Sequence, residues 1–132
     1  MSKIVIDTSI LPIKENEVAV VPTGTVGDLV RKTLIAVLEA AEPKKDEEYI
    51  DYIKRQDETK HTLLSLLKNV LRLTTKQVEK INADLEESEI DNYASYVCTV
   101  LQGLATGTYA EFKKAQSKDE EETDPKSAEE DD

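Results

Sequence analysis

Tryptophan is absent, cysteine, methionine and histidine occur once each, and a single phenylalanine joins five tyrosines in 132 residues. One cysteine cannot form an intrachain disulfide, which excludes the small stapled folds of secreted proteins. One cysteine and one histidine cannot supply the usual four Cys/His ligands of a structural zinc site. Scarce aromatics mean that any core must rest on Leu, Ile, Val and Ala. No apolar run approaches the roughly 20 residues of a membrane span, and the first residues lack a signal-peptide pattern. The expectation is therefore a cytoplasmic protein without a membrane partner. Cations are also short, with 17 Lys and Arg against 28 Asp and Glu, and the net charge of −11 would repel nucleic acids and anionic membranes. What remains is 39% apolar, too much for a wholly disordered chain, in a mass of 14.8 kDa that fits one domain.

Catalytic parts are missing in the same way. There is no phosphate-cradling glycine loop, no dinucleotide fingerprint and no zincin motif. The acidic cluster Asp84, Glu86, Glu87, Glu89 and Asp91 lacks the glycine and ligand spacing of an EF-hand and reads as a solvated helix junction. Cys98 lies on an apolar stripe and reads as a buried structural thiol. His61, between Lys60 and Thr62, reads as a solvated residue at a helix edge. These absences predict a non-enzymatic protein with no cofactor.

The residues present predict a mainly helical α+β chain: a small N-terminal β element over about residues 3–21, then four or five helices. Ile4–Ile6, Ile10–Ile13 and Val18–Val21 are β-branched or apolar runs of strand type, and Pro12 and Pro22 confine them to edges or ends. Beyond Gly24 the apolar spacing becomes helical. Thr25 is a candidate cap, and Leu29, Val30, Thr33, Leu34, Val37, Leu38 and Ala41 follow at three- and four-residue intervals until Pro43. Asp46 is the expected start of a second helix carrying Tyr49, Ile50, Tyr52 and Ile53. The polar stretch from Lys54 to Lys60 leaves open whether that helix runs on into Leu63–Leu73. Thr74 to Gln77 fits a capping box, and Ser88 to Asp91 is a weaker start before Ile90, Tyr93, Ala94, Val97, Cys98 and Leu101. Gly103 sits where a left-handed cap belongs, and Thr108 with Glu111 can open a last short helix.

From Ser117 to Asp132 there are nine acidic residues against Lys118 and Lys126, a net −7, and nothing apolar larger than Ala128. Such a segment has nothing to bury, so residues 117–132 read as a disordered acidic tail. Removing it leaves −11 − (−7) = −4 on residues 1–116, the expected folded domain.

Several functional readings compete. Ile4-Val5-Ile6-Asp7-Thr8-Ser9-Ile10-Leu11 resembles the opening strand of PIN-domain ribonucleases, which would make Asp7 a metal ligand, but no later strand supplies the further acids. An acidic mimic of nucleic acid is a second reading, although most of the excess charge sits in the tail. A small regulator of a host protein such as RNA polymerase is a third. The leading reading is an assembly protein that works through contacts. The layout of a short β element, a helical body and an acidic extension, with Tyr93-Ala94-Ser95-Tyr96-Val97 leading through Leu101, Gly103 and Leu104 to Tyr109, resembles the tail assembly chaperones of long-tailed bacteriophages. That resemblance implies binding to the tape-measure protein in the host cytoplasm while tail-tube subunits are recruited, and it leaves a homo-oligomer open. The partner-binding candidates are Leu63, Leu67, Val70 and Leu71, then Tyr93, Val97 and Leu101, then Asp119, Glu120, Glu121 and Glu122 of the tail. Burial in the domain's own core accounts for the two apolar sets as well.

Overall fold

In the computed structural model the backbone is described for residues 3–122 and the side chains for residues 3–117. The first β-branched run forms β1 (Ile4–Asp7) and the last forms β2 (Glu17–Val20), paired antiparallel with Ile4 opposite Val20 and Asp7 opposite Glu17. Alternation sends Ile6 into the core and leaves Val5 exposed. The middle run, expected as a strand, is a tight connection instead. The Leu11 amide donates to the Thr8 carbonyl and the Ile13 amide to that of Leu11, while Pro12 has no N–H for a ladder. Buried Thr8 closes the loop, its amide donating to the Asn16 carbonyl (2.9 Å) and its hydroxyl to that of Glu15 (2.8 Å).

Five helices follow: α1 (Gly24–Ala40), α2 (Tyr49–Leu71), α3 (Thr75–Asp84), α4 (Glu87–Leu101) and α5 (Tyr109–Glu122). Thr23, rather than Thr25, caps α1, its hydroxyl oxygen accepting the Val26 amide at 3.2 Å. Asp46 does not open α2. It takes a left-handed φ of 65° in the preceding turn, and the helix starts after Glu48. The polar stretch Lys54–Lys60 stays helical, so α2 is continuous over 23 residues, a rod roughly 34 Å long. The capping box at Thr74 forms, with the Thr74 oxygen accepting the Gln77 amide and the Gln77 side chain accepting that of Thr74. α4 starts just ahead of the expected Ser88, after Glu86, with no side-chain cap; Glu87 and Glu89 in its first turn complement the helix dipole.

At the other end of α4, Gly103 takes φ 76°, and the amides of Gly103 and Leu104 return to the carbonyls of Val100 and Thr99. That is the paired bonding of a Schellman cap. Thr108 and Glu111 cap α5 reciprocally: the Thr108 amide donates to Glu111 Oε1 (2.9 Å) and the Glu111 amide to Thr108 Oγ1 (3.2 Å). The helix carries its backbone past Gln116, where the folded domain was expected to end, to Glu122; residues 123–132 of the expected tail lie outside the described residues.

The core forms where the C-terminal half of α2 crosses α4, with Ile6, Leu11 and Val20 from the hairpin and Ile81 from α3 closing it. α1 packs antiparallel along α2, with Thr59 reaching the Ala36 carbonyl and Arg55 that of Glu39, and the large apolar side chains toward their joined end are exposed.

Candidate functional site

Both apolar stripes singled out from the sequence are core. Leu67, Val70, Leu71, Tyr93 and Val97 are buried and Leu101 is partly buried, all in one cluster at the α2–α4 crossing, whereas Leu63 is buried beside that cluster and lines the groove described below. A helix apolar around most of its circumference is satisfied here within the chain itself. Asp119, Glu120, Glu121 and Glu122 fall in the last turns of α5, and their side chains lie outside the described residues.

Asp7 has a structural role that the sequence did not disclose. Four of the six aromatic residues, Tyr93, Tyr96, Tyr109 and Phe112, gather beside it with ring centroids 5.3–5.7 Å apart along the chain of contacts. The Tyr93 hydroxyl donates to the Asp7 carbonyl (2.7 Å). The Asp7 amide donates to the Tyr96 oxygen (3.0 Å), which in turn donates to the Gly107 carbonyl (2.7 Å). The carboxylate accepts the Ser9 amide (2.9 Å) on one oxygen and the Tyr109 amide (3.0 Å), the first of α5, on the other. Burial raises the carboxyl pKa, but the bonds from Ser9 and the Tyr109 amide outweigh it and hold the group below its ordinary value. Asp7 therefore fastens the β-hairpin to α4 and α5. The fold around it has a two-stranded antiparallel hairpin where the PIN-like reading implies a parallel sheet with alternating helices, so that reading is corrected.

The acidic cluster at the α3–α4 junction is largely paired with lysines. Lys80 meets Asp84 (3.0 Å), Lys60 meets Glu87 (3.4 Å) and Lys113 meets Glu89 (3.4 Å), while Glu89 also accepts the Tyr109 hydroxyl. His61 is exposed beside Asp57, as expected of a helix edge.

The surface with unspent apolar area lies elsewhere, on the α1–α2 hairpin. Ile35 and Leu38 of α1 and Tyr49, Ile50 and Ile53 of α2 are all exposed, Leu38 and Tyr49 by 74% and 76%. At 100° per residue, Tyr49, Ile53, Lys60 and Leu63 fall on one stripe of α2. That stripe borders a groove of about 570 Å³ between α1, α2 and α4, floored by Leu34, Val37, Ile53, Leu63, Ala94 and Cys98. Burial pushes the Cys98 thiol up to about 11, so the thiolate is suppressed. The tip of the hairpin is held by Arg55, whose guanidinium pairs with Glu47 (2.6 Å) and donates to the carbonyls of Glu39 and Glu42 at the end of α1. Hydrogen bonding from Arg55, then from the Lys44 amide, holds the Glu47 carboxyl at about 2.

A family model described as phage tail assembly chaperone proteins matches residues 29–119. That span is more than two thirds of the chain. The chain belongs to the phage tail assembly chaperone family. The match begins at Leu29, inside α1, and runs into α5, so it takes in the groove, the α1–α2 tip and the aromatic cluster while β1 and β2 fall outside it. No curated protein and no solved structure matches the chain. Among the described residues, no helix of this chaperone-family protein is long and apolar enough to cross a membrane.

The sequence missed this surface because its apolar residues are interleaved with charge. Ile50 and Ile53 lie among Asp51, Lys54 and Arg55, and the segment reads as an ordinary solvated helix. Pro43, just beyond the end of α1, was the available signal: two helices joined by a short break commonly pack side by side as a hairpin, leaving outer faces to cover.

Proposed function

We propose that the chain binds the tape-measure protein in the host cytoplasm, keeps its apolar helical segments soluble, and presents them while tail-tube subunits are recruited. The observation that carries this reading is the set of large apolar side chains left exposed on the α1–α2 hairpin, all of it within the family-matched span. Exposed apolar area of that extent on a small chain is suited to contact with another protein. The buried α2–α4 core from Leu64 onward holds that surface in shape.

Co-expression with the tape-measure protein encoded by the same phage tests the proposal. The expected result is that the tape-measure protein, insoluble alone, becomes soluble and co-elutes with this chain in size-exclusion chromatography. A tape-measure protein that stays insoluble, or is soluble but elutes separately, contradicts it. Tail-tube subunits added to the complex should join it rather than displace the chaperone.

A further inference from the structure

We propose that the groove between α1, α2 and α4 takes one amphipathic helix of a client whose apolar stripe is flanked by lysine or arginine, the cation pairing with Asp91 and Glu87. This rests on the client-binding reading above and adds the chemistry by which a client segment is chosen.

The floor of the groove asks for apolar anchors. Both threonine hydroxyls that line it are committed to backbone, Thr33 donating to the Leu29 carbonyl (2.8 Å) and Thr59 to that of Arg55 (2.9 Å), so, Ser95 aside, Leu34, Val37, Ile53 and Leu63 set its character. An apolar groove lined by helices suits a ligand that offers anchors at i, i+3, i+4 and i+7.

The rim decides the sign of the client. Asp57, Glu87 and Asp91 line the groove against Lys60, its one cation among the described residues. Lys60 lies 3.4 Å from Glu87, and Asp57 faces His61, whereas Asp91 has no hydrogen bond or ion pair among the described residues. Burial, then repulsion from Glu87, raises the Asp91 pKa, against a smaller lowering by Lys60. A cation delivered here meets an exposed carboxylate that has no ion pair of its own among the described residues, so the rim's charge favours a basic over an acidic flank. A second copy of the chain is the less suitable occupant, because its folded body carries the same sign of charge.

Fluorescence anisotropy with the full chain tests this at an ionic strength of about 0.15 M. The probes are three labelled peptides of about 18 residues, five helical turns. One has a leucine stripe flanked by lysines, one has glutamates in place of the lysines, and one is a scrambled sequence with the lysine peptide's composition. The lysine peptide should bind at least about tenfold tighter than either other peptide. Asp91→Lys should reverse the preference between lysine and glutamate peptides, and Ile53→Ser should weaken both, with circular dichroism confirming that each variant folds.

Equal binding of the lysine and scrambled peptides would mean attraction by overall charge only and overturns the proposal. So does an unchanged preference in Asp91→Lys, or a concentration-dependent dimer that Ile53→Ser abolishes, which would assign the groove to a second copy. If both variants still form the soluble complex with the tape-measure protein at wild-type yield, the groove assignment fails and the client-binding reading stands. If the wild-type chain forms no such complex, the broader reading itself fails.

Discussion

Asp7 and Tyr96 show how a few polar atoms hold distant parts of this chain together. The Tyr96 oxygen accepts the Asp7 amide and donates to the Gly107 carbonyl, so Tyr96→Phe strips the partner from two backbone groups at once. Leaving such groups unsatisfied in a buried position costs about 1–3 kcal/mol, and urea unfolding should show a loss of that size. Exposed Tyr49→Phe should stay within about 0.5 kcal/mol of wild type. Glu47 gives a pH signature at the same scale. Its carboxyl is held at about 2 against an ordinary 4.5, so the pairing with Arg55 contributes fully above pH 4.5 and is lost as the pH falls toward 2. Thermal unfolding across that window should fall less steeply in Glu47→Gln than in wild type; parallel curves would contradict the role given to Arg55.

Among the elements, the ends of the helices were legible from local chemistry and their contacts were not. The Thr74–Gln77 box, the left-handed Gly103 and the Thr108–Glu111 pair each depend on residues within one turn, and all three form as expected. Thr74→Ala should therefore cost about 1 kcal/mol. Arg72 sits in a left-handed conformation, φ 57°, at the end of α2, with the Leu73 amide returning to the Lys68 carbonyl. Arg72→Gly relieves that strain and should raise stability by up to about 1 kcal/mol in the same assay. Thr23 and Thr25 could each cap α1 by composition; only the path after Pro22 decides between them. The hydrogen bond of Asp7 to Tyr109 spans 102 positions and leaves no trace in any local pattern. Periodicity correctly marked Leu63–Leu71 and Tyr93–Leu101 as apolar faces, yet it carries no information on whether such a face meets its own chain or another.

For the molecule as a whole, the division of labour follows from which apolar faces find partners inside the fold. The C-terminal half of α2 and the buried face of α4 close on each other and on the β-hairpin, while the N-terminal half of α2 and the end of α1 leave apolar side chains exposed. Leu67→Ala should cost roughly 2–5 kcal/mol, and any loss of client binding should track the fraction unfolded. Ile53→Ser, at a 44% exposed position, should leave the unfolding transition nearly unchanged while weakening client binding. That separation between stability and binding is what distinguishes a core face from a docking face.

Hydrogen–deuterium exchange on the purified chain, alone and in complex with the tape-measure protein, tests the central claim most directly. Slowed exchange on binding should concentrate in α1 from Thr33 onward, in α2 from Tyr49 to Leu63, and in the part of α4 that lines the groove. The slow amides of the α2–α4 core should change little. Protection confined to the β-hairpin or to α5, with the α1–α2 tip unchanged, would contradict the placement of the client surface.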